Sequence, residues 1–279
     1  MKNGLVRNWM SSPVVTITPE TRLGDARKIM NAENIRALPV VKNGKLEGII
    51  TRRGLLRTDL SILGEGAWQK LVDIKDVLVG SVMTVNPLTI LTNSPLPKAA
   101  RVMMENKITA LPVLDDQKKL VGIITSSDIF RAIIAELPDL KDRILVQDYM
   151  SREIVSIDPE TSLLEAHRLM GVERIRFLPV LENGKMVGLV TRTDLMSVDP
   201  SRFLSKNQQE QSLQILTSPV EKIMVRSIIT VPAQSPIVEA ARLMFENKIH
   251  GLPVVDGEGN LEGVITETDL FRLVVQKFF

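Results

Sequence analysis

Leu178-Pro179-Val180-Leu181-Glu182-Asn183-Gly184-Lys185-Met186-Val187-Gly188-Leu189-Val190-Thr191-Arg192-Thr193-Asp194 holds the pattern on which the reading of the whole chain turns. Pro179 forces the backbone at Leu178 and beyond into an extended course. Two apolar runs follow, joined by Asn183-Gly184, a pair that supplies the positive φ angles of a tight hairpin turn. A helix then starts at Thr191, with Asp194 three places on.

The same stretch occurs four times. Leu-Pro-Val has its prolines at Pro39, Pro112, Pro179 and Pro253, separated by 73, 67 and 74 residues. Each is followed by Gly, two aliphatics and Thr, ending at Thr51, Thr125, Thr191 and Thr266. A Met opens each unit: Met10, Met83, Met150 and Met224. A repeat found before secondary structure is assigned governs the fold. Residues 35–56 match 175–196 at 12 of 22 positions, and 105–130 match 246–271 at 14 of 26. Unit 1 therefore resembles unit 3, and unit 2 resembles unit 4. A two-unit module was duplicated, which places the domains at about 1–143 (units about 8–62 and 81–136) and 144–279 (units about 148–199 and 222–279).

Within a unit, a short β-rich run such as Val14 to Ile17 leads through a Pro-Glu-Thr turn into a helix. Its apolar residues Leu23, Ala26, Ile29 and Met30 fall at helical spacing. The hairpin and a second helix complete a β-α-β-β-α unit of mixed α/β (α+β) class. Helices cover one face of such a small sheet, so the other face needs a partner, and a second unit packed sheet to sheet is the economical one. The connectors Ser61 to Val82 and Val198 to Glu221 cross from unit to unit and carry helix-like apolar spacing at Leu71, Ile74, Leu78, Leu213 and Leu216.

Composition narrows the chemistry. The 279 residues include no Cys and only two His, His167 and His250. Disulfides, thiolate nucleophiles, Cys-ligated metals and His-rich metal sites are excluded. No apolar run approaches the roughly 20 residues of a membrane helix, and Met1 to Met10 lacks a signal-peptide core, so a cytoplasmic protein is expected. Thirty-five basic and 33 acidic residues give a net charge of +2, too small to demand a nucleic-acid or membrane partner. Binding, without catalysis or a required metal, is the expected class.

Thr-x-x-Asp is complete at Thr125 to Asp128, Thr191 to Asp194 and Thr266 to Asp269; unit 1 has Gly54 in place of Asp. Thr with an acidic residue three places on reads first as a helix capping box. The same helix start, facing a cleft between paired sheets, can also hold an anion on bare N–H groups while the Asp accepts hydrogen bonds from sugar hydroxyls. Two residues before each Leu-Pro-Val stand Arg36, Thr109, Arg176 and His250. Cations beside an apolar strand either reach solvent or sit near an anion. Arg52, Arg53 and Arg57 and the helical His167 read as solvated surface, and Met30, Met103, Met170 and Met244 as core. The β-rich runs at Val14 to Ile17, Met83 to Val85, Ile154 to Ile157 and Ile228 to Val231 are candidate walls for a base, with Thr16, Thr84, Ser156 and Thr230 as polar contacts.

On these motifs the chain resembles the cystathionine β-synthase (CBS) domain family, with four repeats paired into two Bateman modules. The resemblance implies that adenosyl ligands (AMP, ADP, ATP or an S-adenosylmethionine-type molecule) bind in clefts between paired repeats, in a regulatory, energy-sensing role. It places Asp128, Asp194 and Asp269 on ribose. Thr125, Thr191 and Thr266 lie by the phosphate with Arg36, Thr109, Arg176 and His250, and Ser127 and Thr268 are further ligand contacts. The Gly54 cleft is implied to be empty or repurposed. An effector protein would receive the signal, and two modules in one chain can close on each other or dimerise with a second copy. The rival reading is a nucleic-acid-binding or scaffold protein with vestigial clefts.

Overall fold

The computed structural model describes residues 4–52, 54–55, 77–136, 144–173, 175–197 and 215–277. Most of both expected connectors, and Arg53 and Arg57, lie outside these. Asn43 and Gly44 adopt φ of 51° and 75°, and Asn183 and Gly184 of 53° and 80°, the two successive positive values that a type I′ turn requires. They join β1 (Ala37–Lys42) to β2 (Lys45–Thr51), and β7 (Phe177–Glu182) to β8 (Lys185–Thr191). The even-numbered repeats make the turn differently. Asp115 Oδ1 accepts from the Gln117 and Lys119 backbone N–H at 3.0 and 2.9 Å, and Asp256 Oδ1 from those of Glu258 and Asn260, both at 2.9 Å. Here a side chain organises the bend between β5 (Ala110–Leu114) and β6 (Leu120–Thr125), and between β9 (Gly251–Val255) and β10 (Leu261–Thr266).

Each repeat has the expected β-α-β-β-α order, with its first strand reduced to a minimum. Ile17, Ile157 and Val231 each make a single parallel pairing, with Val40, Val180 and Val254. In repeat 2 the strand is β4 (Ile90–Leu91), parallel to β5. The helix after it buries one stripe on the sheet: α1 (Leu23–Ala32), α2 (Leu96–Glu105), α4 (Leu163–Val172) and α6 (Ile237–Asn247). Met30, Met103, Met170 and Met244 are at most 1% exposed, so the core reading of these methionines holds. The second helices are α3 (Ser126–Glu136), α5 (Arg192–Ser197) and α7 (Glu267–Lys277), each beginning one residue after its motif Thr.

Two compact units emerge, residues 1–129 with 274–279, and residues 130–273. The division passes through α3 and α7. In the first unit Ala37 and Ile49 of one sheet share an apolar cluster with Ala110 and Ile123 of the other, the sheet-to-sheet packing expected of paired repeats.

A second device holds the pairs. The turn that opens each repeat docks on its partner repeat: the N–H of Val6 donates to Ser94 O, Val79 to Thr21 O, Val146 to Ser235 O and Val220 to Thr161 O. All four valines are fully buried. The chain then runs beside the partner's second strand. Ser11 pairs with Ile123, Ser151 with Val264, Val225 with Leu189, and β3 (Thr84–Val85) with Ile49 and Gly48 of β2. The opening Met consequently lies on the partner's glycine: Met10 on Gly122, Met83 on Gly48, Met150 on Gly263 and Met224 on Gly188. Thr84 occupies the exchanged strand, where Ser11 and Ser151 stand in their repeats. The residue matching Thr16, immediately before the parallel-pairing Ile, is Thr89.

Candidate functional site

At each complete motif the Asp, more than the Thr, caps the helix. Asp128 Oδ2 accepts from the Thr125 N–H and hydroxyl at 2.8 and 2.9 Å, and Asp194 Oδ2 from those of Thr191 at 2.8 and 2.6 Å. Asp269 Oδ2 does the same for Thr266, both at 2.8 Å. A carboxylate is favoured there by the free N–H groups of the first turn. In repeat 1 the partnership inverts, and the Gly54 N–H donates to Thr51 Oγ1 at 3.1 Å. The capping expectation therefore holds, with the hydroxyl mostly donating where it was expected to accept.

Asp269 is buried, and burial raises its pKa above the ordinary carboxylate value, against the opposing hydrogen bonds from Thr266 and the charge of Arg272. A carboxyl raised on folding favours the folded state while protonated and loses that contribution as pH rises from the unfolded value through the folded one. Relative to an Asp269→Asn variant, the wild type is thus expected to lose stability as pH climbs through and just above the carboxylate range. Parallel pH–melting curves for the two proteins check this, and superposable slopes would contradict it.

A backbone hydrogen bond brings the residue after each motif Thr beside the residue two before Leu-Pro-Val. Arg52 N–H donates to Arg36 O, Ser126 to Thr109 O, Arg192 to Arg176 O and Glu267 to His250 O, at 2.8, 3.0, 3.0 and 3.0 Å. The repeats then meet across each pair. Arg36 Nη2 donates to Ser127 Oγ at 3.3 Å. Arg176, the counterpart of Arg36, instead makes an ion pair through Nη1 with Glu267 Oε2, one residue before the counterpart of Ser127. Glu267 Oε1 also lies 2.8 Å from His250 Nδ1. The Glu267 side chain is 4% exposed, against 34% for Arg176 and 37% for His250. The carboxylate beside Arg176 and His250 is thus the protein's own. Arg52 turns outward to Asn31 Oδ1 at 2.7 Å, consistent with a surface role.

Arg176, His250 and Glu267 face a cavity of about 230 Å³ in the second unit. Repeat 3 supplies Glu153, Ile154 and Val155 before its first strand, then Ile175, Arg176, Phe177 and Pro179; repeat 4 supplies His250, Val264, Thr266, Glu267 and Thr268. Of the expected site residues, Arg176, His250, Thr266 and Thr268 line it, with Ile154 and Val155 as an apolar wall. Thr191, Asp194, Asp269, Ser156 and Thr230 are not on its lining. In the first unit, Arg36 and Ser127 are in contact, Thr125 and Asp128 form their cap, Thr109 is half-buried, and Thr16 is exposed. Six lining residues were not among the expected site residues: Glu153, Ile175, Phe177, Pro179, Val264 and Glu267. The last was detectable, since the residue after the motif Thr is Arg52, Ser126, Arg192 and Glu267 in turn, acidic in one copy of four.

Among the described residues no group of acidic and His side chains is placed to hold a metal ion. Nor is any helix among them long and apolar enough to cross a membrane.

Protein MJ1225 of Methanocaldococcus jannaschii is 28% identical over 271 residues, covering 93% of this chain and 94% of the relative. Its crystal structure, described as that of a proposed archaeal homologue of g-AMPK, superposes with a TM-score of 0.76 at 26% identity over 96% of this chain and 99% of that one. An uncharacterised conserved protein from Pyrococcus horikoshii gives 0.68 at 26% identity, covering 97% and 100%. The shorter CBSX2, crystallised with AMP, is 28% identical, with a TM-score of 0.42, covering 49% of this chain and 99% of its own. The CBS domain model matches residues 6–61, 79–135, 146–201 and 220–276. Three of those matches begin at the buried valine that docks on the partner repeat and the fourth, at Val79, does so too, and on this evidence the chain belongs to the CBS domain family, with four CBS domains in two Bateman modules.

Proposed function

We propose that the protein is a regulatory ligand sensor: it binds adenosyl ligands in clefts between paired CBS domains and passes occupancy to an effector protein. The cavity in the second unit carries this reading. It joins apolar walls to a few convergent polar groups, the usual make-up of a small-ligand site, and draws both from two repeats whose relative placement a ligand can bias. A ligand shifts such an arrangement only by its differential affinity for the alternatives. Asp128, Asp194 and Asp269 are assigned to ribose, and in the first module Thr125, Arg36 and Ser127 to a phosphate. The boundaries of the modules are taken as 1–143 and 144–279.

A thermal-shift screen with AMP, ADP, ATP, S-adenosylmethionine and 5′-methylthioadenosine tests the reading. A ligand at ten times its Kd stabilises the folded state by about 1.4 kcal/mol, worth roughly 3–6 °C for a unit of this size. At least one of the five is expected to raise Tm by that much. No rise with any of them at millimolar concentration would end the sensor reading.

A further inference from the structure

We infer that Glu267 sets the charge class of the ligand in the second module: the cavity takes a neutral or cationic adenosyl compound, a thioether or sulfonium, and turns away phosphorylated nucleotides. This rests on the reading that the cavity is an adenosyl site, and it specifies what that site accepts. Glu267 is almost wholly buried; one carboxylate oxygen is paired with Arg176 from repeat 3, and the other lies 2.8 Å from His250 Nδ1 of its own repeat. Removing a carboxylate from water is costly unless it is paired, so the guanidinium that faces the cavity is already committed to neutralising Glu267. A phosphate entering beside it would meet the carboxylate at close range. It would have to break that ion pair, leaving Glu267 buried without its counter-charge.

The rest of the lining adds to the effect. Glu153 is the other charged residue on it. The lining therefore holds two carboxylates, one guanidinium and the His250 imidazole. A doubly charged phosphate is disfavoured in such a setting, an uncharged 5′ substituent is tolerated, and a sulfonium is attracted. The first module lacks this device, because the residue matching Glu267 is Ser126. The two modules are therefore built to report different ligands of one chemical family.

Isothermal titration of the full chain with AMP, 5′-methylthioadenosine and S-adenosylmethionine, comparing wild type with Glu267→Gln, tests the inference. Sites in the first module are common to both proteins, so the difference isolates the second. Glu267→Gln is expected to strengthen AMP binding tenfold or more, to change the thioether less than twofold and to weaken the sulfonium several-fold. Arg176→Gln provides the opposite arm, weakening AMP further and strengthening the sulfonium, and remains informative if the first variant folds poorly. AMP affinity identical in wild type and both variants overturns the selectivity while leaving the sensor standing. Absence of binding by all three ligands to every protein overturns the sensor reading, and the selectivity with it.

Discussion

Gly263→Val is expected to destabilise the second module by about 3 kcal/mol, the upper end of the cost of overpacking a well-filled contact, lowering its Tm by roughly 10 °C. A Cβ on Gly263 would stand 2.8 Å from Ser151 O and 2.9 Å from Met150 Sδ. The sulfur is the end of a flexible side chain and can move. The carbonyl cannot, because the exchanged segment is clamped by two hydrogen bonds to the adjacent strand residue, Ser151 N–H to Val264 O at 2.8 Å and Val264 N–H to Ser151 O at 2.9 Å. Relief therefore requires repeat 3's opening segment to lift from repeat 4, which forfeits those bonds and exposes Met150 and Val146. Gly257, whose Cβ position is open, supplies the control; Gly257→Ala should stay within about 0.5 kcal/mol of wild type, as exposed substitutions do. Urea unfolding of the three proteins decides it. A Gly263→Val protein as stable as the Gly257→Ala control would refute the exchange as a source of stability.

The hairpins and the second helices were legible because their signals are local. Asn-Gly dictates a two-residue turn whatever surrounds it, and a Thr with Asp three places on ends in a helix cap whether or not a ligand is near. The exchange between repeats was not legible, although its traces were. Each unit opens with Met and each hairpin's second strand carries Gly, four times over, but a Met and a Gly that lie in different repeats announce a contact only once the pairing of repeats is known. The place of Thr84 in the exchanged strand was hidden in the same way, since a β-rich run reads alike whether it pairs within its own repeat or with its partner. At the candidate site, the expected cations stand where the motif put them. Their anion was looked for in a ligand because Glu267, adjacent to the motif Thr, reads in one dimension as a helix-start acid; only the sheet register turns it towards His250, and only the repeat pairing brings Arg176.

The apolar contact between paired sheets offers the second large effect, and it ties stability to the cavity. In the first module the two central positions are Ala37 and Ala110, which share one buried cluster. Their counterparts in the second are Phe177 and Gly251, so a large ring faces a residue without a side chain where two small ones meet in the other module. A Cβ on Gly251 would lie 2.5 Å from Phe177 Cε1 and 3.0 Å from Ile265 O. Gly251→Ala is accordingly expected to cost about 2–3 kcal/mol and to push Phe177 out of its place on the cavity wall. Restoring the other module's pairing should cure the clash: the double variant Gly251→Ala with Phe177→Ala is expected to be more stable than the sum of the single changes predicts, by 1 kcal/mol or more, as contacting residues in a double-mutant cycle are. Ligand binding should not recover with it, because the ring is a wall of the cavity as well as a filler of the interface. Urea unfolding of the four proteins, with 5′-methylthioadenosine titrated into each, separates the two roles. Additive stabilities would show that ring and glycine do not depend on one another, and recovered binding in the double variant would remove Phe177 from the site.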